Sequence, residues 1–156
     1  MLFRSSRIHE EIESHFAGTT SSRGFRVEEA LFEHFKLHPT QPWLVERSFA
    51  SPMGFGGKVD LYCKPDEYAK YGLVADVKTK DFGPDDRVDA YEDHLMQLAA
   101  YRIGLDIPNA RCANVFVSRT HDLVKIIEWT EEDLKRGWMM FQCLFNFWKL
   151  KNQFGA

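Results

Sequence analysis

The chain of 156 residues has 44% hydrophobic residues, enough for one packed domain, and a formal net charge of −3 with a pI near 6.1. This charge excludes a protein that coats nucleic acid by bulk charge alone, although acids gathered at a metal site would themselves lower the total. Cys63, Cys112 and Cys143 lie far apart without a C-x-x-C pair, which excludes a zinc knuckle or a four-cysteine iron–sulfur cluster within the chain.

Neither end of the sequence carries a targeting or membrane signal. The N-terminal MLFRSSRIHEEIE lacks an apolar run before a cleavage site. The most apolar segment, 138–150, is interrupted by Gln142, Asn146 and Lys149 and is too short to span a bilayer. We therefore expect no signal peptide, no membrane helix, and a reduced, cytoplasmic protein of a bacterial or phage-infected cell.

Two helices and a strand are predicted first. Ser5 or Ser6 is expected to cap a helix that ends near Phe16. The turn-rich AGTTSSRG breaks this helix, and a second amphipathic helix is predicted over 25–37. Residues 43–49 alternate as a strand does, and SPMGFGG predicts a hairpin connection after it.

The middle of the chain predicts two central strands and a long helix. The strands cover 58–63 and 73–79. Asp85 or Asp86 is expected to cap the helix, which ends near Leu105, before a proline.

Two strands and a final helix complete the pattern. The strands are predicted over 113–118 and 123–129, and TEED is a capping box for a helix to about Gln153. The order of elements predicts an α/β fold, with a central mixed sheet flanked by helices on both sides, as a single domain over 1–156.

Two acids and a lysine are brought together by the central strands GGKVDLYC and GLVADVKTK. Asp76 and Lys78 share one face of their strand because side chains alternate. Such a pair is most often a surface ion pair. Here, however, the neighbouring strand adds Asp60 after a Gly-Gly that permits close backbone approach, and LVADV is typical of a sheet interior. Carboxylates hold a hard divalent cation and a lysine side chain orients or deprotonates water, so these residues predict metal-dependent hydrolysis of a phosphodiester.

A third carboxylate is expected from the second helix. Glu28 lies beside Leu31 and Phe32 rather than with the solvent-facing stripe, which places it at the edge of the core. An ordinary boundary glutamate is the alternative interpretation, and Glu29 competes if the helix phase is one residue off.

Polar residues also recur on the long helix, in the segment HLMQLAAY. His94, Gln97 and Tyr101 fall on one side at i, i+3 and i+7. Gln97 and Tyr101 can hydrogen-bond the catalytic strand or the DNA backbone, or else form a helix boundary satisfied by water. His94 is expected to be a solvated neighbour rather than a metal ligand.

GGKVDLY, VADVKTK and HLMQLAAY together resemble the motifs of the RecB-type branch of the PD-(D/E)XK nuclease superfamily, over residues 23–105. The resemblance implies that Asp60 and Asp76 bind Mg²⁺ or Mn²⁺, with the Val77 carbonyl in the metal shell. It also implies that Lys78 positions the nucleophilic water. Gln97 and Tyr101 would brace the site and contact DNA.

The sequence departs from this family pattern in two ways. Many RecB-type members carry a histidine in the first motif helix, whereas RGFRVEE offers Gly24 and Glu28, which is similar to the G-x-x-x-E of phage lambda exonuclease. The four-cysteine cluster of some relatives is missing. A compact nuclease core of the sort encoded by phages is the expectation.

Basic and aromatic residues near these acids are candidate DNA contacts. Arg23, Arg26 and Lys80 are expected to bind phosphates, as part of a larger basic set. Phe55, on the loop before Asp60, would either stack on a base or cover the core.

The final helix is apolar on nearly all sides between Trp138 and Leu150, so most of its circumference is expected to be buried. Packing across the sheet is the first explanation, and a surface for a homo-oligomer or a protein partner is the second.

The sequence thus predicts a Mg²⁺- or Mn²⁺-dependent deoxyribonuclease that binds DNA, and an exonuclease rather than an endonuclease. Two alternatives stay open. One is a structure-specific endonuclease, and the other is a catalytically idle module of the same fold that binds nucleic acid or a partner.

Overall fold

A computed structural model describes residues 7–154. The elements in chain order are α1 (Arg7–Phe16), α2 (Ser22–Phe35), β1 (Leu44–Ala50), β2 (Gly56–Cys63), β3 (Leu73–Lys80), α3 (Glu92–Gly104), β4 (Arg111–Ser118), β5 (Val124–Trp129) and α4 (Glu131–Lys151). This is the predicted order, and the predicted α/β class is confirmed.

The five strands form one mixed sheet in the order β1-β2-β3-β4-β5. Neighbouring strands are antiparallel except β3 and β4, which run parallel because α3 connects them. The central strands β3 and β4 are buried along most of their length, as LVADV predicts.

Each face of the sheet is covered by two helices, which gives two apolar cores. On one face Ile12 of α1 and Leu31 of α2 pack with Ala75 and Val77 of β3. On the other face Leu95 and Leu98 of α3 pack with Val74 of the same strand. The alternation of side chains along β3 therefore divides its residues between the two cores, and Asp76 lies in the middle of this strand.

The boundaries of two helices differ from the prediction. The predicted start of the long helix at Asp85 or Asp86 is wrong, since α3 begins at Glu92 after Tyr91. Asp86 instead accepts a hydrogen bond from the Gly83 N–H at 2.6 Å and closes a local turn, so its side chain is not a helix cap.

The second helix starts earlier than predicted. Ser21 caps α2 by accepting from the Gly24 N–H at 3.0 Å, so part of the turn-rich segment is helical. The proposed caps of the first helix, Ser5 and Ser6, lie outside the described residues.

The expected burial of the final helix is wrong. Leu134 and Gly137 near the start of α4 are buried against α3. Farther along, Met139, Phe147 and Leu150 are 66%, 64% and 81% exposed. Packing on α3 and Phe55 therefore covers one side of this helix rather than most of its circumference.

Candidate active site

The candidate site lies where β2 and β3 separate. Their ladder has three residue pairs, the last of which joins Leu61 to Ala75. Asp60 and Asp76 come next on the two strands. Asp60 Oδ2 accepts a hydrogen bond from the Val77 N–H at 2.8 Å, so this carboxylate takes the place of a backbone partner as the strands diverge. The predicted pairing of the two acids is therefore a consequence of strand geometry.

Helix α1 delivers two further groups to Asp60. His9 Nε2 lies 2.9 Å from Asp60 Oδ1 and 3.3 Å from Glu13 Oε1. The two α1 residues are four apart, so they project from one helical face. Within residues 7–154, His9, Glu13 and Asp60 are the group whose ligand atoms all lie within 4.8 Å of one another, the arrangement needed to share a metal ion.

Glu46 extends this cluster from β1. It interrupts the pairing of β1 with β2 opposite Asp60, and it has a φ of 50°, which is uncommon for a residue other than glycine. Its carboxylate neighbours that of Glu13, and its Oε1 lies 3.0 Å from Lys58 Nζ. The site therefore gathers several carboxylates on α1, β1, β2 and β3.

Asp76 is held by neighbours on β3 and β4. Only 5% of the residue is exposed, and its Oδ2 lies 3.0 Å from Lys78 Nζ. The fully buried Asn114 amide donates to the same oxygen at 3.4 Å, and Asn114 in turn accepts from the Trp129 indole N–H at 2.9 Å. A buried carboxylate with such partners is fixed in orientation.

The pKa values of the two central acids move in opposite directions. Burial, together with the charge of Asp60, raises the pKa of Asp76 to about 7 against the attraction of Lys78. Burial also opposes ionisation of Asp60, but hydrogen bonds from His9 and the Val77 N–H hold its pKa below the usual range. The site therefore keeps Asp60 ionised more readily than Asp76.

The pKa values of His9 and Glu13 on α1 are also shifted by their neighbours. The hydrogen bond to Asp60 raises the pKa of His9 above its usual value. Burial and the hydrogen bond with Glu46 raise the pKa of Glu13 to about 7. Crowded carboxylates that retain protons near neutral pH are electrostatically prepared for a cation.

A hydrogen-bonded chain leads from Lys78 to α3. Lys78 Nζ donates to Gln97 Oε1 at 3.4 Å, and Gln97 Nε2 donates to the Tyr101 hydroxyl at 2.8 Å. A Cβ at Gly57 would lie 2.6 Å from the Tyr101 ring, so the second glycine of Gly-Gly makes room for this side chain. The structure thus brings Gln97 and Tyr101 to the lysine.

Glu28 is placed elsewhere. Its Oε2 lies 2.7 Å from His15 Nε2, and the described residues that cluster with Asp60 are His9 and Glu13 instead. The structure therefore places Glu13 of α1, rather than Glu28 of α2, beside Asp60, and a ligand role for Glu28 stays a prediction. Glu29, the competing candidate, is exposed on α2.

The candidate phosphate-binding residues are spread around the site. Arg26 pairs with Asp122 at 2.6 Å, and Arg23 Nη1 lies 3.4 Å from a carboxylate of α1. Lys80 follows Lys78 at the end of β3, and its Nζ lies 5.5 Å from the centre of the Tyr91 ring. Lys80 is therefore nearest in sequence to the candidate site, while the two arginines already have acidic partners.

The structure also shows the surroundings of Phe55 and His94, two residues considered in the sequence analysis. The Phe55 ring packs against Phe49, Phe141 and Phe145 with centroid separations of 5.0–6.0 Å, so it covers a core. His94 is half-buried beside Phe116, and burial lowers its pKa.

Sequence reasoning missed His9, Glu13, Glu46 and Asn114. The H-x-x-x-E spacing of His9 and Glu13 was an available signal, because it puts both side chains on one face of a predicted helix. No local pattern marks Glu46 or Asn114, since their roles depend on the strand pairing.

Comparison with solved structures supports the fold. A candidate exonuclease from Eubacterium rectale superposes over 98% of this chain and 70% of its own with a TM-score of 0.57, at 13% sequence identity. A second crystal structure, of a protein called SSO0001, covers 84% of this chain and 61% of its own at 18% identity, with a TM-score of 0.38. The first likeness is consistent with a nuclease-like α/β fold.

No protein-family model matches the sequence, and no curated protein matches it. Among residues 7–154, the helices are all too short or too polar to cross a bilayer.

Proposed function

We propose that the protein is a divalent-metal-dependent nuclease of the PD-(D/E)XK superfamily, of the RecB-type or phage exonuclease-like branch, that hydrolyses DNA. The observation that carries the proposal is the meeting of Asp60, Asp76 and Lys78 with His9 and Glu13 where β2 and β3 separate. The nuclease-like fold of a solved structure supports the same class.

The donor set fits a divalent cation. His9, Glu13 and Asp60 offer one nitrogen and two carboxylate oxygens at mutual separations within 4.8 Å, and Asp76 adjoins Asp60. Carboxylates suit Mg²⁺ and Mn²⁺, while imidazole is a better ligand for Mn²⁺ than for Mg²⁺ along the transition-metal series. We therefore propose that these residues hold Mn²⁺ or Mg²⁺, with Mn²⁺ bound more tightly. The Val77 carbonyl stays a proposed additional ligand.

When bound, the cation would supply Lewis-acid polarisation of the scissile phosphate. The protein's own contribution comes from Lys78, whose ammonium lies between Asp76 and Gln97 and is about one-third exposed. The ammonium can orient the attacking water, and the neutral amine, once its proton is lost, can accept a proton from that water. Asp76 and Gln97 keep the ammonium in place, and Tyr101 fixes the orientation of the Gln97 amide.

DNA is the proposed substrate because phosphodiester chemistry fits these groups and Lys80 continues the basic edge beyond Lys78. Exonucleolytic cutting is the proposed mode. A catalytically idle binding module is disfavoured, since the acids and the lysine of the site are all present, with Lys78 paired to Asp76 and Asp60 bonded to the Val77 N–H.

The test is a cleavage assay on circular and linear DNA, single- and double-stranded, in Mn²⁺, in Mg²⁺ and in excess EDTA. We expect linear DNA to be degraded in Mn²⁺ and circular DNA to be spared. Cleavage of circles would indicate an endonuclease.

A matched pair of variants ties the activity to the site. Asp76→Asn should abolish cleavage. Asp106→Asn makes the same chemical change at an exposed position with a φ of 61°, which asparagine tolerates, so it should retain activity. Full activity of Asp76→Asn, or full activity of the wild type in EDTA, would contradict the proposal.

A further inference from the structure

Asn114 is a polar residue buried in the middle of a central strand. Its exposed fraction is 0%, and its neighbours along β4, Ala113 and Val115, are buried apolar residues. Burying an amide costs free energy unless its polar atoms are hydrogen-bonded. The register of β3 with β4 pairs Asn114 with Asp76, and both side chains lie on the sheet face that α3 covers. The orientation of this amide therefore bears on the candidate site.

Trp129 determines which way the Asn114 amide points. The indole Nε1–H of Trp129, on β5, donates to Asn114 Oδ1 at 2.9 Å. An indole nitrogen is a donor only, so the amide oxygen has to face Trp129 and the amide nitrogen has to face Asp76. The opposite orientation would set one N–H against another and the amide oxygen against a carboxylate. Trp129 therefore fixes the amide with its donor toward Asp76.

The donors around Asp76 converge on one of its two oxygens. Oδ2 lies 3.0 Å from Lys78 Nζ and accepts from Asn114 Nδ2 at 3.4 Å. Neither of these contacts involves Oδ1. The Asp76 carboxylate also neighbours that of Asp60, whose Oδ1 lies 2.9 Å from His9 Nε2. Holding Oδ2 against β4 therefore leaves Oδ1 as the oxygen that can bind a cation beside Asp60.

The hydrogen bond from Asn114 to Asp76 is longer than usual, so its effect depends on a fixed donor. Such bonds are most often about 2.9–3.0 Å long. A donor at 3.4 Å orients the carboxylate only if the donor itself cannot turn away. Trp129 supplies that constraint from β5, which is two strands from Asp76 in the sheet.

We infer that Asn114 and Trp129 are positioning residues for the proposed metal site. Trp129 fixes the amide of Asn114, and this amide holds Asp76 Oδ2 so that Oδ1 faces the cation. Trp129 acts only through Asn114, and neither residue is itself a ligand. The inference rests on the proposed function, because it assigns both residues to the same metal site.

Calorimetric titration of the metal-free full chain with Mn²⁺, without DNA, tests the inference. Loss of a residue that orients a metal ligand typically lowers metal affinity by about 10- to 100-fold. We expect a loss in this range for Asn114→Ala. Trp129→Phe keeps an aromatic ring but removes the N–H, and it should lose about tenfold.

Trp138→Phe is the matched control. Trp138 packs against the same apolar core as Trp129 and stacks on Phe141. Its indole N–H makes no hydrogen bond with the residues that the structure describes. The same chemical change at this position should therefore leave Mn²⁺ affinity at the wild-type value.

A double variant distinguishes positioning from general support of the core. If Trp129 acts through Asn114, Asn114→Ala combined with Trp129→Phe should bind Mn²⁺ no more weakly than Asn114→Ala alone. Purely structural roles would lower the melting temperature without changing the Mn²⁺ affinity of the folded protein. Circular dichroism at the titration temperature shows which variants are folded.

Three results would overturn the inference, and they are distinguishable. Wild-type Mn²⁺ affinity in folded Asn114→Ala, or equal affinities of Trp129→Phe and Trp138→Phe, would do so while leaving the proposed metal site intact. The second comparison holds even if Asn114→Ala does not fold. A double-variant loss equal to the product of the two single losses would show that Trp129 does not act through Asn114. A wild-type chain that binds no Mn²⁺ would contradict the proposed metal site itself, and the inference with it.

Discussion

Replacing Asp76 by asparagine should stabilise the metal-free protein, and the gain should depend on pH. Burial and the charge of Asp60 raise the pKa of Asp76 from 3.8 to about 7. The folded state therefore keeps this carboxyl protonated at pH values where the unfolded chain has released the proton. Stability associated with Asp76 is present below its unfolded pKa and is lost as the pH rises toward 7.

The magnitude follows from the same pKa. Since a pKa change of one corresponds to about 1.4 kcal/mol, ionising Asp76 in the folded protein costs up to about 4 kcal/mol above pH 7. Asparagine resembles the protonated acid in shape and never ionises. The variant should thus match the wild type near pH 4 and exceed its free energy of unfolding by a few kcal/mol at pH 8. For a chain of this length, that difference corresponds to roughly 10 °C in Tm.

The assay is chemical denaturation in EDTA at a series of pH values, with Asp106→Asn as the control for an exposed carboxylate. The difference between wild type and Asp76→Asn isolates this residue from other titrating groups. A variant that is less stable than the wild type at pH 8, or a difference that stays constant between pH 5 and pH 8, would refute the reasoning.

Five further variants distinguish residues that bind the metal, residues that act in catalysis and residues that support the site. Lys78→Ala should bind Mn²⁺ in calorimetry yet lose about 10²- to 10⁴-fold in single-turnover rate, because it removes the proton-handling group and no ligand. Glu13→Gln should weaken Mn²⁺ binding, whereas Glu28→Gln should bind Mn²⁺ as the wild type does, because Glu28 pairs with His15 away from Asp60. Gln97→Ala and Tyr101→Phe should slow cleavage with only small changes in Tm, since each removes a hydrogen bond worth about 1 kcal/mol at a partly exposed site.

Each of these predictions would be contradicted by a specific result. Equal losses of Mn²⁺ affinity and rate in Lys78→Ala would make Lys78 a structural partner of the carboxylates. Loss of Mn²⁺ binding in Glu28→Gln alone would return the third carboxylate to α2. If Gln97→Ala unfolds the protein and Tyr101→Phe leaves turnover unchanged, α3 stabilises the core rather than the candidate site.

The order of elements and the central strands followed from the sequence because their signals are local. The alternation around Asp76 and the apolar run that contains it both mark a buried strand carrying an acid. Gly57 likewise marked a close approach, which the structure shows to be that of the Tyr101 ring. These features depend on neighbours in sequence.

The rest of the candidate site depends on how distant segments pair. Glu46 reaches Glu13 where β1 departs from regular pairing opposite Asp60, and this irregularity leaves no composition signal. Asn114 meets Asp76 only through the register of β3 with β4. Glu13 was not predicted to lie beside Asp60, because Glu13 and Glu28 both lie on amphipathic helices and only tertiary packing decides which helix faces Asp60.

The exposed face of α4 also could not be predicted from neighbours in sequence. Its composition predicts burial on nearly all sides, which is correct only for the stripe that contacts α3 and Phe55. Phe147 and Leu150 are exposed among the described residues, so composition predicted more burial for α4 than residues 7–154 provide.

The rate of linear DNA cleavage as a function of Mn²⁺ concentration, measured for the wild type and for Asp60→Asn, tests the metal-dependent site most directly. Asp60 contacts His9 and the Val77 N–H and belongs to the cluster that could hold the ion. The proposed site predicts saturable dependence on Mn²⁺ in the wild type and loss of cleavage in Asp60→Asn at every Mn²⁺ concentration. Wild-type cleavage that persists in EDTA, or a folded Asp60→Asn variant with the wild-type Mn²⁺ dependence, would contradict it.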